Sequence, residues 1–327
     1  MISLPYTMRL LCLCWASFFM LHMALVIAAR LSAGTAVRMA EHMKPSSAAR
    51  LLFGIRIAPL LLTLFAVLAF CIPSYLWLEP RATGERVGTA CMVMACLGIA
   101  VWTSGLVRIF RAVRGTVRYL HQCERKGRKI SVPGDSSAAL LLADQAPVLA
   151  VAGVLRPRLV ISRRVMRGLS AEQRDAALRH ERAHCTSGDN LKRFLILLAP
   201  DVLPFVRSFS GLERSWSRFT EWAADDVATA GDPRRALSLA SALVRVARMG
   251  SKPNLGYLSC SLLGGGHDLS QRVDRLLRPQ SKPRKPVKVL VPLITGAGTL
   301  AVSGFAVMTL WPGSLSLVHR ALEQLIH

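Results

Sequence analysis

The chain has 327 residues, 52% of them hydrophobic, and a formal net charge of +23. A mean hydropathy of +0.38 beside that charge sets it apart from soluble domains. Five of its eight cysteines (Cys12, Cys14, Cys71, Cys91 and Cys96) lie in apolar runs, and no pair has zinc-ligand spacing. A cysteine metal site and a disulfide framework are therefore excluded.

Four stretches lack Asp, Glu, Lys and Arg altogether: Leu10 to Ala29, Ile57 to Leu78, Val87 to Val107 and Val289 to Val318. Each reaches the roughly 20 residues that cross a bilayer as a helix. The expected organisation has three transmembrane helices within 1–108 (about 10–29, 57–78 and 87–107) and a globular domain over 109–288. A fourth span over 289–312 and a short tail over 313–327 complete it.

Charge gives the expected orientation. Arg30, Arg38, Lys44, Arg50 and Arg56 face only Glu41 between the first two runs, and Arg108 to Lys288 holds 33 basic against 15 acidic residues. Alternate segments thus total +22 on one side and +1 on the other. Basic residues are retained in the cytoplasm, so both termini are expected outside and the central domain inside. This retention, with attraction to anionic lipid, accounts for the basic excess. Membrane lipid is an expected partner; direct binding of nucleic acid is not.

Residues 109 to 130 read as a basic helical extension of the third span, ending at the turn Ser131 to Asp135. Pro147 to Ala152 and Arg158 to Ile161 read as two short strands, punctuated by Gly153 and Pro157. A free edge there could receive an extended peptide; an ordinary core hairpin fits equally well. Ser170-Ala171-Glu172-Gln173 has capping-box form and starts a helix that Gly188-Asp189 ends or kinks. Phe194 to Val206 is apolar but too short to span, and either dips into the membrane edge or is buried in the domain. Ala236 to Met249 and Leu269 to Leu277 read as helices, with Gly264 to Gly266 a joint and Pro279 to Pro286 a linker.

The most informative residues are His180-Glu181-Arg182-Ala183-His184. On a helix the two histidines project from one face and can hold one metal ion. A catalytic zinc takes three protein ligands and keeps one position open. Glu221 is the best candidate for the third, as the downstream glutamate followed four residues later by an aspartate, Asp225. Asp225, and in the same way Asp189, could fix a histidine tautomer. One Zn2+ per chain would activate water, and Glu181 is the expected general base. His267 and Arg272 are candidates for stabilising the oxyanion, though each reads more readily as a structural or loop residue. No phosphate-binding loop, G-x-S-x-G or dinucleotide fingerprint is present.

These residues resemble the BlaR/MecR-type membrane zinc metallopeptidases, transducers of the beta-lactam response. The resemblance runs from Ala146-Pro147-Val148 through Gly153 to Ile161, then Leu169-Ser170, the H-E-x-x-H, Asp189-Asn190-Leu191, Glu221 to Asp226 and Gln271-Arg272-Val273. It implies a gluzincin-like cytoplasmic catalytic domain in a bacterial inner-membrane protein, with zinc on His180, His184 and Glu221 and Glu181 as base. With the spacing, it gives a mainly α, polytopic protein of four transmembrane helices whose catalytic domain contains a small β-sheet. The implied partner is a protein substrate, a cytoplasmic transcriptional repressor among the candidates. A penicillin-binding sensor is not expected, because no S-x-x-K occurs and about fifteen residues follow the last span. A signal would then come through the spans, a separate sensor protein or a homo-oligomer. HtpX/Ste24-type quality-control proteases are a second resemblance, echoed only loosely by His267-Asp268 to Arg272. A non-catalytic membrane scaffold for a repressor is the reading from another class.

Overall fold

The computed structural model describes residues 2–3, 5–79, 86–131, 139–143, 147–201, 209–250, 259–261, 269–278 and 312–326. Helix α1 (Tyr6–Glu41) turns through residues 42–44 into α2 (Pro45–Ala66). That helix continues by a π-helical turn (Val67–Cys71) into α3 (Ile72–Leu78), and α4 (Thr89–Lys126) follows. The wide turn precedes Pro73, whose missing N–H removes the bond a regular helix would make to Ala69.

These three rods are long and apolar enough to cross a membrane. At 36 residues, α1 is about 54 Å long, well beyond a hydrocarbon layer of roughly 30 Å. Its excess length, and that of α4, is scaffold for the rest of the chain.

One end of the bundle is tied by polar groups. Tyr75 Oη donates to the Tyr6 carbonyl at 3.1 Å, and Arg9 pairs with Glu79 at 3.6 Å. The two-residue strands β1 (Ile2–Ser3) and β2 (Arg86–Val87) pair beside them. The chain start, Glu79 and Arg86–Val87 thus share one end, while the 42–44 turn and the C-terminus of α4 share the other.

From the second end grows a five-stranded sheet in the order β3 (Gly127–Ile130), β4 (Ala139–Leu142), β6 (Arg158–Ser162), β5 (Leu149–Ala152), β7 (Ser259–Ser261). Only β4 and β6 run parallel. Alternation assigns the faces. Leu149, Val151, Leu159 and Ile161 pack towards α6 (Ala171–Ser187) and α9 (Pro233–Arg248), whereas Leu140, Ala150 and Val160 pack on Tyr119, Leu120 and Cys123 of α4. The hairpin expected from sequence is β5–β6. Its outer edge is not free: β7 pairs along β5, so an incoming peptide would not find β5 open.

Short helices complete the layer. After α5 (Arg163–Gly168), the capping box at Ser170 forms as read: Ser170 Oγ accepts from Gln173 N, and Gln173 Oε1 accepts from Ser170 N. Gly188 adopts φ +64 and ends α6, letting α7 (Asp189–Leu198) start at once in a new direction. α8 (Ser210–Thr229) lays Leu212, Trp216 and Phe219 into the core shared with α1 and α2, and α10 (Leu269–Leu277) packs on α9.

Of the segment Phe194 to Val206, residues 202–206 lie outside the described residues; α7 ends at Leu198 with its C-terminus against α2 and α4. Part of the segment read as a tail is helix α11 (Pro312–Ile326), and it packs Val318 and Leu322 into the bundle core. Residues 289–311, most of the expected fourth span, lie outside the described residues, as do Gly264 to Gly266 and Pro279 to Pro286.

α1 and α4 approach closely at Gly98, where an added Cβ would stand 2.5 Å from the Trp15 carbonyl oxygen. Gly98→Val should force the two rods apart and cost about 1–3 kcal/mol, as overpacking does. A lowered melting temperature in detergent is expected, and an unchanged one would show that the rods do not meet there.

Candidate metal centre

Helix α6 contributes the first pair of groups. Four residues apart, His180 and His184 stack edge to face, with ring centroids 4.8 Å apart. Their Nε2 atoms face one another at 3.1 Å. Two facing ring nitrogens can share one proton at most, so the arrangement suits lone pairs converging on a cation.

Helix α8 supplies the acid. Glu221 Oε2 lies 3.4 Å from His180 Nε2, and Oε1 lies 3.8 Å from His184 Nε2. One ligand atom from each of the three residues falls within 4.8 Å of the others, and all three side chains are buried. Ligands set tetrahedrally at about 2.0–2.1 Å from zinc stand about 3.3–3.4 Å from one another. The spacing therefore fits a tetrahedral ion. Both Glu181 oxygens are buried without a hydrogen bond among the described residues. Buried acceptors with no donor call for a cation or water between them.

Outer groups orient this set. The turn at Gly188 brings Asp189 back under α6, with Oδ2 2.8 Å from His184 Nδ1, and Lys192 Nζ donates to Asp189 Oδ1 at 2.9 Å. Asp225 Oδ1 lies 2.9 Å from His180 Nδ1, an ion-pair contact off the line of a hydrogen bond. Arg272, 1% exposed on α10, donates to both Asp225 oxygens at 3.0 and 2.7 Å. Its Nη1 lies 3.1 Å from Glu221 Oε2. Asn190 is the group the residue pattern alone did not single out: its Nδ2 donates to the carbonyls of Val151 and Gly153, pinning the start of α7 to β5.

Electrostatics follow from this packing. Burial alone would raise the Glu221 carboxyl, but Arg272 and the imidazoles hold it well below the usual carboxylate range. Asp225 is likewise lowered against its burial, by Arg272 and His180. Glu181, wholly buried and pulled down only weakly by the two histidines, is pushed up to about 7. A carboxyl with that affinity can take and return a proton near neutrality.

The structure thus brings His180, Glu181, His184, Asp189, Glu221, Asp225 and Arg272 into one buried cluster. Arg272 enters it as the partner of two carboxylates, and His267 lies outside the described residues.

The family described as BlaR1 peptidase M56 matches residues 83–276, which takes in every member of the cluster. No curated protein sequence matches the chain. With 83–276 covering more than half of its length, the chain belongs to the BlaR1 peptidase M56 family of membrane metallopeptidases.

Proposed function

We propose that the chain is an integral-membrane zinc endopeptidase that cuts a cytoplasmic or membrane-proximal protein in regulatory signalling. The observation that carries this reading is the buried His180, His184 and Glu221 triad beside the hydrogen-bond-free carboxyl of Glu181. Zinc, when bound, supplies a Lewis acid and a water of lowered pKa.

The chain's own residues divide the remaining work. Glu181 removes a proton from the attacking water and later hands it to the leaving amine. Asp189 and Asp225 orient the two imidazoles through their Nδ1 atoms, so that both Nε2 atoms face inward. Arg272 balances Glu221 and Asp225, and Lys192 balances Asp189. With those three carboxylates ionised and two cations facing them, the shell keeps an excess negative charge that favours a divalent ion.

The side of the membrane follows from charge. The sequence segments that flank the cluster, 30–56 and 108–288, carry +22 of the net charge, which supports a cytoplasmic centre. A repressor or another cytoplasmic regulator is the substrate class within reach of that face.

Glu181→Gln should reduce cleavage by about two to four orders of magnitude while leaving zinc content near one per chain. Comparing cytoplasmic peptide fragments from wild-type and variant cells checks it, with elemental analysis of the purified proteins. Equal fragment patterns with intact metal would favour a scaffold that binds without cutting. Glu221→Gln should instead lose the metal itself, and chelation of the wild type should lower its melting temperature until zinc is returned. For topology, a reporter fused after Glu79 should be active outside the cytoplasm and one after Arg128 inside; the reverse pattern would invert the orientation.

A further inference from the structure

Away from the metal cluster, the most heavily bonded buried charge is Arg56 of α2, 2% exposed. Its Nε donates to Glu213 Oε1 at 2.8 Å. Its Nη2 donates to the carbonyls of Ala199 and Ile196 at 2.8 and 3.3 Å and to Asp201 Oδ1 at 3.2 Å. The guanidinium also lies over the Phe209 ring, 4.8 Å from its centroid.

A buried guanidinium must be paired wherever it sits, and an apolar side chain would often pack as well. The informative point is where the partners come from. Ile196 and Ala199 close the C-terminal end of α7, whose first residue, Asp189, holds His184. Glu213 lies in the first turn of α8, two turns before the ligand Glu221. One side chain of the second membrane helix therefore grips α8, which carries Glu221, and the far end of α7, whose first residue orients His184 of α6. The neighbouring spans hold the same stretch: Arg108 of α4 donates to Asp201 and Ala199, and His22 Nε2 of α1 lies 3.2 Å from the Pro200 carbonyl oxygen. Gly105 of α4 leaves room there, since a Cβ would stand 3.0 Å from the Leu198 carbonyl oxygen.

We infer that Arg56 is a positioning residue: from the membrane bundle it sets the separation of α7 and α8, and with it the placing of Glu221 against the His184 that Asp189 orients. Helices of 10 and 20 residues are stiff at this scale, so a displacement at their clamped ends reaches Asp189 and Glu221. A shift of α2 against α1 and α4 would loosen or tighten the centre without touching it. The inference rests on the metal-site reading above.

The test uses the full chain in lipid nanodiscs, with zinc affinity measured by chelator competition and melting temperatures taken with and without zinc. Arg56→Gln should weaken zinc binding by about tenfold, at the low end for groups outside the ligand shell. The gain in melting temperature on adding zinc should shrink with it. Arg56→Lys should recover part of the loss, and Glu213→Gln, which frees α8 alone, should show an intermediate one. A purely structural role would lower both melting temperatures equally and leave the affinity unchanged; that result overturns the inference. Should Arg56→Gln fail to fold, unchanged affinity in Glu213→Gln overturns it instead. A wild type that binds no zinc sinks the metal-site reading, and the inference falls with it.

Discussion

Carboxylates cannot be taken out of water singly, and this constraint governs the region around α6. Glu221, Asp225 and Asp189 are each at most 3% exposed, within a cluster that already holds two imidazoles and a fourth carboxyl. Desolvation of one ionised group costs several kcal/mol unless a counter-charge meets it. Arg272 meets two of them from α10, and Lys192 meets the third from α7. These cations come from segments far apart in sequence, so α6, α7, α8 and α10 must all be docked before the cluster is tolerable. Folding of the domain and assembly of the cluster are then one event.

The same electrostatics separate the two glutamates by role. Glu221 sits against Arg272 and both imidazoles, which together outweigh its burial, while for Glu181 burial outweighs the pull of the histidines and Arg272. A ligand must stay ionised and a base must exchange its proton near neutrality, and the two environments suit those proposed roles.

What the sequence discloses here is what is local in the chain. The 3.6-residue period puts His180 and His184 together, the capping box starts α6, and Leu269 to Leu277 is the helix read from its pattern. β5 and β6 were visible because β-branched and apolar residues flank a glycine-proline turn. β3 is four residues of basic character, β4 is a short apolar run that suits helix or strand equally, and β7 is three residues long, so none carries a periodic signal of its own. From sequence, Arg272 reads as a structural residue or an oxyanion donor, with no partner specified. Its commitment to Asp225, 47 residues earlier, is a tertiary pairing that no spacing rule reports. The bonds of Arg56, to partners 140 to 157 residues away, are hidden for the same reason. Asn190 had a weak signal, since it follows the metal-shell aspartate and opens a helix.

Helix α8 explains why this centre cannot be treated as a soluble domain hung from an anchor. One of its faces carries Leu212, Trp216 and Phe219 into the core formed with α1 and α2, where Ala36, Ala40, Ala48 and Ala49 keep the helices close. Another presents Glu221 and Asp225 to the histidines. Small residues at a helix contact permit near approach of the backbones but little slack, so α8 follows the α1–α2 hairpin as a unit. The sheet is connected differently: it rests on the last turns of α4 through Tyr119, Leu120 and Cys123. His180 and His184 are therefore placed by α9 and β5 on one side of α6 and by α8 on the other, while α8 itself follows the membrane hairpin. An ion held by all three proposed ligands would bridge α6 and α8, and its coordination distances would report on how those two helices stand to one another.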